Sequence, residues 1–204
     1  MKDDFMVIKM AVCGALMLAL GAGDVSAQMR TKTAGNPVVR IQQLTGYGPR
    51  ALIRSPDSSG GSRRGVREWA ELAVQFDTDP EWIDEVTFQY YALLYHRTTG
   101  DYTLLKGSVT YVDVARGRSH LGVAYIRPNA LARLGEIRGV AVEALVKGEV
   151  VASFSEGRLA AQKPLPVDPP WWQNPKLVPR EGYIVEKSKT PFALLNFDDY
   201  EAAK

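Results

Sequence analysis

The chain has 204 residues, 46% of them apolar and 24% charged, with 25 Lys+Arg set against 23 Asp+Glu. That near-balance excludes the concentrated basic face of a nucleic-acid binder, and the ordinary composition excludes a fibrous or low-complexity chain. Its one cysteine, Cys13, lies close to the N-terminus.

Lys9 is followed by an uninterrupted apolar run from Met10 to Leu20, then Gly21, Gly23 and Val25-Ser26-Ala27. A run of about 11 residues is too short for a membrane-spanning helix, which needs roughly 20. Small residues at Val25 and Ala27 suit signal peptidase, so residues 1–27 read as a secretory signal peptide cut before Gln28. The competing reading is an N-terminal anchor, favoured by Asp3 and Asp4, which weaken the positive start. Cys13 follows Lys9 by too few apolar residues for an acylated lipoprotein cysteine, and it leaves with the signal. Processing removes Lys2, Lys9, Asp3, Asp4 and Asp24, leaving 23 basic and 20 acidic groups. The mature domain, 28–163, is then expected in the periplasm, at the outer surface or outside the cell. It has no disulfide, thiol nucleophile or thiolate metal site.

Gln28 to Asn36 is polar and expected to be mobile. Val38 to Leu44 reads as a first strand. Residues 46–65, with Arg50, Arg54, Arg63 and Arg64, read as a long basic loop. From Arg67 the period becomes two. Ala70, Leu72, Val74 and Phe76 share one face, which predicts a half-buried strand. A turn is expected at Asp79-Pro80. Beyond it Val86, Phe88, Tyr90, Ala92 and Leu94 line one face, while Tyr91, Leu93 and Tyr95 make the other unusually apolar, as in a central strand. After a turn at Thr98 to Asp101, Tyr102–Val114 reads as a strand bulged at Gly107. A turn near Gly117 separates it from Ser119–Ile126. Pro128 to Gly135 predicts one short crossover helix. Ile137–Val146 and Val150–Phe154 predict a hairpin. The sum is an all-β fold, an immunoglobulin-like antiparallel β-sandwich.

Residues 164–204 form an extended C-terminal strap. Six prolines from Pro164 to Pro179 preclude a long helix, yet Trp171, Trp172, Tyr183, Phe192 and Phe197 are too apolar for a solvated tail. Those five are the candidate binding residues. In an extended segment the two tryptophans point to opposite sides, so one packs inward and the other is free for a partner or for stacking on a sugar face.

Candidate chemistry is sparse. His96 and His120 lie in predicted strands; Ser108 or Ser119 beside His120 lacks a nucleophile motif. The acidic stretch Asp77 to Glu85 has closely spaced oxygens but not calcium-loop spacing. The expectation is a non-enzyme with no catalytic residues, no metal and no cofactor, binding envelope proteins. A glycan-binding module or secreted hydrolase is the alternative.

Two segments, Pro80-Glu81-Trp82-Ile83-Asp84-Glu85-Val86-Thr87-Phe88 and Thr190-Pro191-Phe192-Ala193-Leu194-Leu195-Asn196-Phe197-Asp198-Asp199, carry a resemblance. Through them the chain is similar to a family of secreted pilus-like proteins associated with type IV pilus machinery in mucin-degrading Verrucomicrobia. The resemblance implies an Ig-like fold and a place among pilus-associated or envelope proteins. The chain departs from a conventional pilin in that its apolar run precedes the predicted cut. An accessory or surface component is therefore expected.

Overall fold

A computed structural model describes residues 27–29, 37–48, 51–56, 67–159, 163–164 and 170–204. The predicted signal sequence up to Ser26 and the tip of the basic loop, 57–66, lie outside the described residues.

Two long strands dominate, β4 (Glu68–Tyr95) and β5 (Tyr102–Ile126), paired antiparallel from Ala70↔Ile126 to Tyr95↔Tyr102. Each replaces two strands expected from sequence. The ladder does not stop at Asp79-Pro80 or Gly117. Its register shifts between Phe76 and Thr78 and again between Thr78 and Trp82, so both strands bulge at one level and continue. Pro80, which has no N–H to offer, falls in that unpaired excursion, where no ladder bond is needed. Gly117 sits beneath the His120 imidazole, where a Cβ would lie 2.6 Å from Nε2.

The shared bulge folds the sheet over on itself. Phe76 and Phe88, twelve residues apart, would lie roughly 40 Å from each other along an extended strand; their ring centroids are 4.8 Å apart. The inner faces of the two halves close over one core, with Val39, Ile41 and Leu44 of β2 (Val39–Leu44) beside Leu72, Phe76, Phe88, Tyr90 and Tyr111. The result is an open, sandwich-like antiparallel sheet with one α-helix among the described residues, an all-β fold of immunoglobulin-like layout.

β6 (Glu136–Val146) and β7 (Glu149–Leu159) form the expected hairpin, turning on Lys147 and Gly148, both at positive φ. Helix α1 (Pro128–Leu134) begins with proline and ends at Gly135, whose φ is 98°. β4 is central, with β5 on one side and β6 on the other along its second half. Three details differ from expectation. Gln28 and Met29 belong to a short strand, β1 (Ala27–Met29), on the β7 edge. Within the expected loop, β3 (Leu52–Arg54) pairs with β4, its Ile53 packing among apolar side chains. Gly107 is not a bulge: Tyr90↔Gly107 is in register, and the space over the glycine is taken by Ile184. β8 (Lys163–Pro164) adds a two-residue pairing to β7.

The segment from Pro170 onward runs along the open side of β5. Arg180 bonds to Leu104 and Lys106, β9 (Ile184–Glu186) pairs with Ala124–Ile126, and Ala202 and Lys204 bond to Val112 and Thr110. Strands left open in this way invite association, and this segment covers much of that edge.

Candidate functional site

The outer face of the folded sheet carries two apolar clusters, and the C-terminal segment lies over both. In the first, Tyr91, Leu93, Leu104 and Ala141 receive Trp171 and Trp172. The tryptophans are not in extended chain. They form a 3-10 turn, Trp171–Gln173, entered from Pro170, and this winding brings both indoles to the sheet, 3% and 5% exposed. Their rings meet edge to face at 5.5 Å. Neither is presented as an outward platform.

Glu143 fixes this anchor and had no signal in the sequence. Its carboxylate is buried and accepts hydrogen bonds from Trp172 Nε1 (2.8 Å), Tyr91 OH (2.9 Å) and Gln173 Nε2 (3.0 Å). A buried carboxylate is tolerated when donors surround it. The same arrangement raises the Tyr91 phenol well above its ordinary pKa, through burial first and then the Glu143 charge.

The second cluster joins Val123, Tyr125, Val185 and Phe192, with Trp69, Ile53 and Tyr200 against it. Phe192 stacks on Tyr125 at 5.1 Å and meets Trp69 edge-on at 5.9 Å. Burial is also the main reason the Tyr125 phenol is pushed far up, with Glu71 second. Tyr183 is half-buried against the inner core, and its carbonyl accepts from Arg127 N. Phe197 opens a 3-10 turn, Phe197–Asp199; its side chain is outside the described residues.

Four of the five candidate residues thus meet the sheet as anchors, spread over its length rather than gathered. What the segment presents to solvent is different. Leu194 is 88% exposed and Leu195 48%, on a turn fastened by buried Phe192 on one side. On the other, Lys187 Nζ bonds to the Asn196 carbonyl and lies 4.4 Å over the Tyr200 ring.

His120 has partners that the sequence did not suggest. Its Nδ1 lies 2.6 Å from Glu201 Oε1, its Nε2 lies 3.2 Å from Thr78 Oγ1, and its ring stacks on Phe76. Hydroxyl, imidazole and carboxylate in this order imitate a nucleophilic triad. Yet Thr78 is buried, donates its proton to the Ala115 carbonyl (2.7 Å) and accepts from Gly117 N (3.0 Å). The hydroxyl is committed to stitching the bulge, and Glu201 ties the C-terminal segment to it. Ser119 lies on the same bulge, at φ 62°, with its N–H on Asp77 Oδ1. His96 lies in the turn after β4, its Nδ1 facing Thr99. Among the described residues no group of three or more His, Cys, Asp or Glu side chains converges as a metal site, and the Asp77–Glu85 carboxylates are spread along the bend. No helix among those residues is long and apolar enough to cross a membrane.

A protein-family model matches residues 43–204. Among solved structures, a crystal structure of a protein from Akkermansia muciniphila is similar, with a TM-score of 0.62 and 23% identity, covering 81% of this chain and 92% of that one. At that identity the likeness is one of fold. No curated protein matches the chain.

Proposed function

The chain belongs to the family whose model spans residues 43–204, a family that fits the pilus-like proteins its sequence resembles, and from that premise we propose an exported, non-catalytic interaction module. In this reading it is an accessory or surface component associated with type IV pilus-like machinery. Residues 1–27 are removed as a signal peptide, and the mature chain works in the envelope or outside the cell.

The observation that carries the reading is the C-terminal turn. Two leucines stand in solvent on a segment whose Trp171, Trp172 and Phe192 side chains are spent on holding it to the sheet. Two adjacent exposed leucines on a fastened support offer apolar area that a partner protein gains by covering. Their backbone is fastened on both sides, at Phe192 and at Asn196, which lowers the ordering cost of association. A glycan platform at Trp171-Trp172 would first require the indoles to leave their cluster and Glu143.

The test is cross-linking and pull-down from the native envelope with the full mature chain and with a Leu194→Asp, Leu195→Asp variant. Envelope proteins enriched by the parent and lost from the variant, at unchanged melting temperature, are the expected result. Capture of the same proteins by both chains would remove the turn as the docking point. Mucin glycans binding saturably to the parent, with no envelope protein captured, would favour the alternative.

A further inference from the structure

At the far end of the sheet from α1, a cleft of about 850 Å³ opens between the bend and the β6–β7 hairpin tip. Val38, Leu145, Val146 and Val151 contribute its apolar part, and Trp82 forms a wall. Trp82 differs from the other three tryptophans. Trp171 and Trp172 are buried and Trp69 packs on Phe192, whereas Trp82 is 54% exposed. Around it the rim is acidic: Asp84, Glu85 and Glu149 against a single cation, Lys147. Glu85 is held by Lys204 Nζ at 2.5 Å. Asp84 and Glu149 have no ion-pair partner among the described residues.

We propose that this cleft is a second docking site, which takes an extended segment of a partner protein in which arginine or lysine alternates with apolar residues. The proposal deepens the interaction reading and rests on it. Charge complementarity selects the occupant: with Glu85 held by Lys204, Asp84 and Glu149 outweigh Lys147 by one negative charge, and together with the exposed indole they favour a cation. A guanidinium or ammonium over a tryptophan face is attracted by the ring quadrupole, more strongly as water is excluded. The apolar part of the cleft selects against a bare inorganic cation, because it rewards side chains that cover valine and leucine. An extended peptide satisfies both, since its alternate side chains face opposite ways and can meet rim and floor in turn. The Lys147-Gly148 turn and the paired strands on either side hold the cleft open without ligand.

The test is calorimetric titration of the full mature chain with a short synthetic peptide of alternating valine and arginine. Controls are the same peptide with citrulline or glutamate in place of arginine. Saturable binding of the arginine peptide alone is expected. It should weaken about tenfold in Trp82→Ala, and again in Asp84→Asn combined with Glu149→Gln. Leu194→Asp should leave it unchanged, which separates this site from the leucine turn. Since Trp82 is exposed, its variant should melt with the parent; Trp82→Phe, which keeps an aromatic face, should bind better than Trp82→Ala. Absence of saturable binding, equal binding of the citrulline peptide, or affinity indifferent to Trp82→Ala would overturn the proposal. So would concentration-dependent self-association that Trp82→Ala abolishes without any peptide binding, since the occupant would then be a second copy.

Discussion

Trp172 Nε1 donates a 2.8 Å hydrogen bond to Glu143 Oε1, joining the C-terminal segment to the middle of β6 across 29 residues. Tyr91 and Gln173 donate to the same carboxylate. Replacing Glu143 by leucine leaves the buried Trp172 Nε1 and the more exposed Gln173 Nε2 without that acceptor, while Tyr91 OH keeps Gln89 Oε1 at 2.9 Å. One unsatisfied buried donor makes this a loss of roughly 1–3 kcal/mol, or about 3–10 °C in melting temperature for a domain of this size. Glu143→Gln keeps one carbonyl acceptor and should lose less than half as much. Thermal unfolding of the three chains by circular dichroism decides the matter; a Glu143→Leu chain as stable as the parent would show that the carboxylate is not the fastening.

Gly107 offers a second handle on the same segment. A Cβ there would lie 2.6 Å from Ile184 Cβ and 2.9 Å from its carbonyl oxygen. Backbone cannot yield as a flexible side chain does, so Gly107→Ala should lift β9 from β5 at a cost of about 1–3 kcal/mol. Limited proteolysis should then cut after Lys187 or Lys189 faster than in the parent. Unchanged cleavage and melting would mean that β9 shifts without loss.

Asp77 ties three strands together at the bend. Its Oδ1 accepts from Ser119 N (3.0 Å) and its Oδ2 from Gln42 Nε2 (2.6 Å). The Ser119 N–H is the main reason its carboxyl titrates below the ordinary value of 3.8; the Gln42 bond, Arg118 and Arg40 act in the same sense, against partial burial. A carboxyl lowered in the folded state stabilises fully above its unfolded pKa and loses that contribution as pH falls through the folded value. Melting temperature should therefore drop below about pH 4. In Asp77→Asn this acid limb should be shallower, with Glu136, lowered mainly by Arg97, still contributing. Parallel acid limbs for the two chains would count against the assignment.

These handles differ in how far the sequence reveals them. Alternation from Ala70 to Phe76 and from Val86 to Leu94 marks the inner face of β4 directly, because burial repeats with the period of the pleat. Continuity across Pro80 is not visible, since proline ordinarily ends a central strand; the matching bulge in β5 that absorbs it lies more than thirty residues away. Trp171-Trp172 is legible as an apolar anchor but not as a 3-10 turn. Glu143 reads as a solvent-facing strand position, and only the covering segment makes it internal. The Thr78–His120–Glu201 contact leaves no local pattern, its members being 42 and 81 residues apart.

The last prediction concerns Phe192, which is 5% exposed and sandwiched between the Tyr125 face and the Trp69 edge. Truncating a buried phenylalanine to alanine costs about 3–5 kcal/mol in a closed core. On this outer face, where Tyr200 and Val185 can close in, roughly 2–4 kcal/mol is expected. The loss should not be shared evenly. Beyond Phe192 the segment is held by Glu201 on His120, by Val112 N donating to the Ala202 carbonyl, and by Glu201 N and Lys204 N donating to β5 carbonyls. These bonds lie at the chain end and can open without unfolding the core. Phe192→Ala should therefore accelerate hydrogen exchange at the amides of Val112, Glu201 and Lys204, while amides in the β4–β6 ladder keep their protection. Because the exposed β5 edge can then pair with another chain, the variant should also associate at high concentration. Phe192→Leu, which restores most of the buried volume, should reverse both effects. Uniform acceleration across β4, β6 and the C-terminal residues would instead mean that the segment and the sandwich unfold as one unit, with Phe192 an ordinary core residue rather than a clamp.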